Sequence, residues 1–166
     1  MSPLNNQRYD NKRKYGNNEF IISSSQEDFR VTNRYAVVKS VPLYYTGPIK
    51  KDDVVIVHHN VFRIYYDIKG RPKSSWCFYR DNIFIIDEGQ IFLYKSDDDV
   101  WKATYPYCFV DPIKEDKLTG LVVHCHEGFD LKEGDKVSFQ PETEYEFRID
   151  DKLLYRMKTN NICLKI

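Results

Sequence analysis

His124-Cys125-His126 is the densest cluster of chemistry-bearing side chains in the chain. On a strand, His124 and His126 share one face, and two imidazoles at that spacing can hold a Zn²⁺ ion. His58-His59 would add a ligand if two halves of the molecule faced each other. No CxxC or HxxxH spacing completes a four-ligand structural site, so the bland reading is two hydrogen-bonded or solvated histidines at a strand end. Cys125 or Cys77 beside a histidine would make a nucleophile pair. Neither has a recognisable helix N-terminus or cationic neighbourhood to lower its pKa. Glu142, Glu144 and Glu146 alternate, which reads as a solvated face and not as two carboxylates across a cleft. The seven glycines form no GxGxxG or GxxxxGK phosphate loop. The expectation is a protein with no catalytic residues and no cofactor, which acts by contact.

The elements that must carry these residues read as strands. The chain has 166 residues, with 13 Tyr and 10 Phe but only two alanines, Ala36 and Ala103. Rings and β-branched residues suit a pleated, half-buried surface, and scarce alanine argues against helix. Val54-Val55-Ile56-Val57 is a strand-length apolar run that implies burial on both faces. Tyr105, Tyr107 and Phe109 alternate, as do Tyr145, Phe147 and Ile149, so each set should place its rings on one face. Asp150-Asp151 then marks a tight turn before Leu153, Tyr155 and Met157. Lys69-Gly70-Arg71-Pro72 and Asp87-Glu88-Gly89-Gln90 mark others.

Charge balances at 25 against 25, which removes long-range attraction to nucleic acid or an anionic membrane as a property of the whole chain. The asymmetric piece is the start, where Arg8, Lys12, Arg13 and Lys14 outweigh Asp10. With few apolar side chains, residues 1–18 are expected to form a disordered basic tail. No apolar run approaches the roughly 18 residues of a membrane span, and the start lacks a secretory pattern. Four scattered cysteines fit a reducing, cytoplasmic setting, with a virion as the alternative.

The same order of elements occurs twice. Lys50-Lys51-Asp52-Asp53-Val54-Val55-Ile56-Val57 is matched by Lys132-Glu133-Gly134-Asp135-Lys136-Val137-Ser138-Phe139. Each is followed by an aromatic stretch and a short closing run, Ile91–Lys95 and Ile162–Lys165. Each is preceded by an apolar opening run, Phe20-Ile21-Ile22 and Cys108-Phe109-Val110, then a loop and a second run. The fold expected is all-β, with two small β-barrels in tandem over residues 19–97 and 98–166, joined near Asp98.

The second half resembles the GroES-type co-chaperonins. Its Lys132-Glu133-Gly134-Asp135-Lys136-Val137-Ser138-Phe139 is similar to that family's Lys-x-Gly-Asp-x-Val-x-Phe segment. Thr119-Gly120-Leu121-Val122-Val123 is similar to its second strand. The resemblance covers about sixty residues well, and the first half only through Asp52–Val57 and Ile91. It implies two GroES-like barrels, oligomers with other copies of the chain, and a chaperonin ring or larger protein particle as partner. Co-chaperonins hold the chaperonin through a loop between the first two strands that carries an apolar tripeptide. In the second half that place holds only Ile113–Leu118. In the first half it is Ser23–Asn33, so the resemblance makes Phe29, Arg30 and Val31 the candidate contact residues. The same fold would serve a capsid-associated structural subunit.

A rival surface lies at Arg63, Tyr65, Tyr66, Lys69, Arg71, Lys73, Trp76 and Tyr79. Exposed rings among cations stack bases and follow a single-stranded backbone. The competing reading makes these rings core. The balanced net charge weighs against nucleic acid, since phosphate neutralisation supplies most of such affinity.

Overall fold

The computed structural model describes residues 1–21, 29–150 and 152–166, with Phe29 described by its backbone alone. Among them every helical piece is a single 3₁₀ turn and the rest is strand and loop, so the protein is all-β. It divides into two compact units. Unit 1 holds residues 1–91 and 95–99; unit 2 holds 92–94 and 100–166.

In unit 1, β1 (Ser2–Pro3) is followed by β2 (Lys12–Tyr15) and β3 (Asn18–Ile21), then β4 (Tyr35–Val37) and β5 (Val54–Val57). β4 lies between β1 and β5, antiparallel to both. Three small hairpins stand apart from this sheet. They are β2–β3, β6 (Ile64–Tyr66) with β7 (Pro72–Ser74), and β8 (Phe78–Arg80) with β9 (Ile83–Phe84). Val55, Ile56 and Val57 are buried, as the unbroken apolar run requires. Phe62 and Phe78 meet the Phe84 ring edge-on at 4.8 and 5.5 Å.

β10 (Ile91–Lys95) follows, and its residues 92–94 belong to unit 2, where Leu93 and Tyr94 pair with Ala103 and Lys102 of β11 (Lys102–Ala103). The main sheet of unit 2 uses β12 (Tyr107–Pro112), β13 (Thr119–Cys125), β14 (Lys136–Phe139), β15 (Tyr145–Ile149), β16 (Lys152–Lys158) and β17 (Ile162–Lys165). Their order is β15-β16-β12-β13-β14-β17. Among the described residues no pairing joins the two outer strands, so this sheet is open where a closed barrel was expected. Both faces of β12 are covered. Cys108 and Val110 join Val122, Val137, Phe139 and Met157 in one core. Phe109 points the other way, with its ring 5.8 Å from that of Phe147.

The two Gly-Asp-type turns make the same hydrogen bonds. In unit 1 the Lys50 N–H donates to Asp53 Oδ2 at 2.7 Å and the Asp53 N–H to the Lys50 carbonyl at 3.3 Å. The Asp52 N–H donates to Val38 O at 2.8 Å, and the Val38 N–H to Asp53 O at 3.0 Å. In unit 2 the corresponding bonds are Lys132 N–H to Asp135 Oδ2 (2.8 Å), Asp135 N–H to Lys132 O (3.0 Å), Gly134 N–H to Val122 O (2.8 Å) and Val122 N–H to Asp135 O (2.9 Å). The corner residue is left-handed in both, at φ +71° for Asp52 and +87° for Gly134. Glycine and aspartate are among the few residues that tolerate that conformation.

The strands around these turns match as well. Tyr35, Ala36 and Val37 face Ile56, Val55 and Val54, as Thr119, Gly120 and Leu121 face Ser138, Val137 and Lys136. Ser2 and Pro3 face Val37 and Ala36, as Asp111 and Pro112 face Leu121 and Gly120. The His58 N–H reaches Gln90 O, as the Gln140 N–H reaches Asn161 O, both at 2.9 Å.

This register corrects the reading of the first half. The strand that opens unit 1 is Ser2–Pro3, and Phe20–Ile21 lies in β3, an exposed hairpin strand. Ile22 lies outside the described residues. The expected disorder of residues 1–18 is also corrected. Arg8 Nε donates to Phe62 O at 2.8 Å, and Tyr9 Oη accepts the Ile64 N–H at 2.7 Å. One long polar side chain and one amphipathic ring thus tie the segment to unit 1, which a count of apolar residues does not register.

Candidate functional site

The excursion between the first two strands of each unit follows from the matched register. In unit 2 it is short: residues 113–118 turn back through the Asp116 N–H to Ile113 O bond at 3.2 Å. In unit 1 it opens alike, with Gln7 N–H to Leu4 O at 3.2 Å, but runs over residues 4–34. It contains the β2–β3 hairpin. Gly16, at φ +61°, takes the first central position of its two-residue turn, the place where a type II′ turn needs glycine.

All eight residues of β2 and β3 are exposed. Tyr15 and Ile21 each show 67% of their surface and Phe20 50%. The Tyr15 and Phe20 rings meet edge-on at 5.9 Å, while Lys12 pairs with Glu19 at 3.1 Å. A two-stranded ribbon with both faces in solvent is at best marginally stable alone. It holds two rings and an isoleucine out in solvent.

The contact residues predicted from the sequence lie elsewhere in the excursion. Residues 23–28 are outside the described part. Phe29–Val31 forms one 3₁₀ turn. Val31 is buried, and its carbonyl accepts the Asp10 N–H at 2.8 Å; Arg30 is exposed. Val31 is therefore a core residue of unit 1. In the register of the sheets Pro3 holds the position of Pro112 and so marks the opening strand of unit 1.

The candidate metal pair is split by its surroundings. His126 is buried, with Nδ1 2.7 Å from Glu127 O and Nε2 3.4 Å from Thr159 Oγ1, so both ring nitrogens are engaged. Burial holds the His124 pKa below its usual value, and its ring meets that of Phe109 at 6.5 Å. Among the described residues no group of three His, Cys, Asp or Glu side chains converges on a point. His58 and His59 stack on each other at 4.2 Å.

The pKa values of the two candidate thiols, Cys77 and Cys125, shift in opposite directions. Burial raises the Cys77 pKa. Cys108 and Cys125 face each other across β12 and β13. The hydrogen bond between them keeps the proton on Cys108 and lowers the Cys125 pKa. The three glutamates do not share a strand: Glu142 sits in a turn at φ +63°, and only Glu146 lies within β15.

The rings of the rival surface are not core. Tyr65, Tyr66, Trp76 and Tyr79 are all exposed. Arg71 Nε holds Asp67 Oδ2 at 2.9 Å, and Arg63 is half-buried, its backbone carbonyl accepting Arg8 Nη2 at 3.2 Å. No helix among the described residues is long and apolar enough to cross a membrane. No family model matches the chain, nor does any curated protein or solved structure.

The turn of unit 2 carries a pH dependence. Lys165 Nζ lies 2.6 Å from Asp135 Oδ2, and the Lys132 N–H donates to the same oxygen. The lysine first, then the amide, holds the Asp135 carboxyl below the usual carboxylate range. A depressed folded-state pKa stabilises the fold above the unfolded value and loses that contribution as pH falls through the folded one. Urea denaturation at a series of acidic pH values should show stability falling over that interval, and Asp135→Asn should flatten the fall.

Proposed function

We propose that this chain is a non-enzymatic, oligomeric contact protein of the co-chaperonin type, built from two GroES-like units in tandem. In this reading it engages a chaperonin ring through the β2–β3 hairpin. The observation that carries the reading is the exposed Tyr15, Phe20 and Ile21 on an excursion between the first two strands of unit 1. That is where the resemblance puts an apolar contact loop. The identical turn hydrogen bonds and registers of the two units support the tandem arrangement. The outer strand β17 offers an edge for another copy. It pairs only with β14 among the described residues, and Leu164 is 65% exposed.

The test is binding of the full chain to purified chaperonin rings, read by co-sedimentation and ring ATPase rate. Phe20→Asp with Ile21→Asp should weaken binding by at least about a hundredfold, because each buried apolar side chain contributes about 1.5–3 kcal/mol. Thermal unfolding should stay unchanged, since both side chains are in solvent. A double variant that binds like the parent chain, or a parent chain that leaves every cognate ring unaffected, overturns the proposal. A strictly monomeric native mass removes its oligomeric part.

A further inference from the structure

We propose that unit 1 binds single-stranded nucleic acid on its β6–β7 and β8–β9 hairpins, a function separate from the contact made by β2–β3. The chain is neutral as a whole, but its charge is not evenly spread. Residues 63–84 hold five cations, Arg63, Lys69, Arg71, Lys73 and Arg80, against two acids, Asp81 and Asp67. The second is already engaged. It accepts the Lys69 and Arg71 N–H groups at 2.8 and 3.0 Å and Arg71 Nε at 2.9 Å. The balancing negative charge lies elsewhere in the chain, so zero net charge does not describe this surface.

The rings here have no core to fill. Trp76 is 72% exposed, Tyr79 56%, and Tyr65 and Tyr66 45% each. Tyr65 faces Lys73 across the β6–β7 ladder, so a ring and a cation project from the same side of the hairpin. The Arg80 guanidinium lies 5.1 Å from the centre of the Tyr79 ring. A single strand offers flat π faces and phosphates in alternation, and the two hairpins each set a ring beside a cation, Tyr65 with Lys73 and Tyr79 with Arg80. An acidic protein would satisfy the cations but has no comparable set of planar faces for the rings. The hairpins are also anchored: Ser75 Oγ donates to Val61 O at 2.5 Å, and Arg8 Nη1 to Ser74 Oγ at 3.0 Å.

The experiment uses the full chain and a fluorescein-labelled oligothymidylate of about 16 nucleotides, the upper end of the site size of one small barrel. Anisotropy should rise on binding, and log affinity should fall linearly with log salt by roughly 0.7 per phosphate contacted. Trp76→Ala should weaken binding about tenfold, the usual loss for one stacked base. Lys69→Glu with Lys73→Glu should weaken it and flatten the salt slope. These side chains are exposed, so circular dichroism should be unchanged in every variant. Absence of binding at low salt overturns the proposal. So does a Trp76→Ala variant that binds normally, or polyglutamate that binds as tightly as the oligonucleotide, since either result describes a generic basic patch.

Discussion

Val31→Asp will cost unit 1 a large part of its stability, while Phe20→Asp, eleven residues earlier, will leave that stability unchanged. Both positions lie on the same excursion and both are apolar in the sequence. Val31 retains 8% of its exposed surface and Phe20 retains 50%. A carboxylate at position 31 must either be desolvated or take up a proton. The cost is about 4 kcal/mol or more, a large part of the 5–15 kcal/mol that holds a domain together. An exposed substitution stays within about 0.5 kcal/mol. Urea denaturation of the two variants separates them. A Val31→Asp protein with the parent's midpoint would place that side chain in solvent. The pair also decides how a loss of partner binding is to be read. Loss in Val31→Asp reports a broken fold; loss in Phe20→Asp with Ile21→Asp reports a broken contact.

The same pair marks what was legible in the sequence. Strand character was legible throughout, because rings and β-branched residues at period two leave little room for helix. The turn at Lys132–Asp135 was legible because glycine followed by aspartate is a local device, complete within four residues. Its partner at Lys50–Asp53 was harder to see, since Asp52 stands where Gly134 does; the left-handed conformation is shared although the residue type is not. The opening strand of unit 1 was not legible. It is two residues long, and Ser2–Pro3 carries no apolar pattern. Phe20-Ile21-Ile22 looked like the missing strand because its composition fits one. Its Phe20 and Ile21 do lie in a strand, but in a hairpin that faces water on both sides. Composition reports a preference for extended backbone; it does not report which side chains other parts of the chain will cover. Val31 was read as a surface residue for that reason alone, and it is buried. The exposure of Tyr65, Trp76 and Tyr79 was hidden in the same way, because core rings and surface rings are spelled alike.

Phe109→Ala should be the most damaging truncation in unit 2. β12 is buried on both faces between β13 and β16, and Phe109 is its largest fully buried side chain. Its ring meets Phe147 at 5.8 Å, and Phe147 in turn meets Phe92 at 5.8 Å. The Arg156 guanidinium caps this series, 4.2 Å from the Phe92 ring centre and 4.8 Å from that of Tyr145. Removing the Phe109 ring therefore costs its transfer from water and leaves a void whose walls are themselves pinned. Such truncations cost about 3–5 kcal/mol. Tyr105 belongs to the same alternating run, yet it is 75% exposed, and Tyr105→Ala should cost no more than about 0.5 kcal/mol. The two are chemically similar losses from one sequence pattern, so their ratio measures burial directly. Denaturation followed by near-ultraviolet circular dichroism, which reports ring packing, should show the Phe109→Ala transition at much lower urea than the parent's and the Tyr105→Ala transition beside it. Equal midpoints for the two variants would mean that the series from Phe109 through Phe147 to Phe92 is not the core that holds β12 in place.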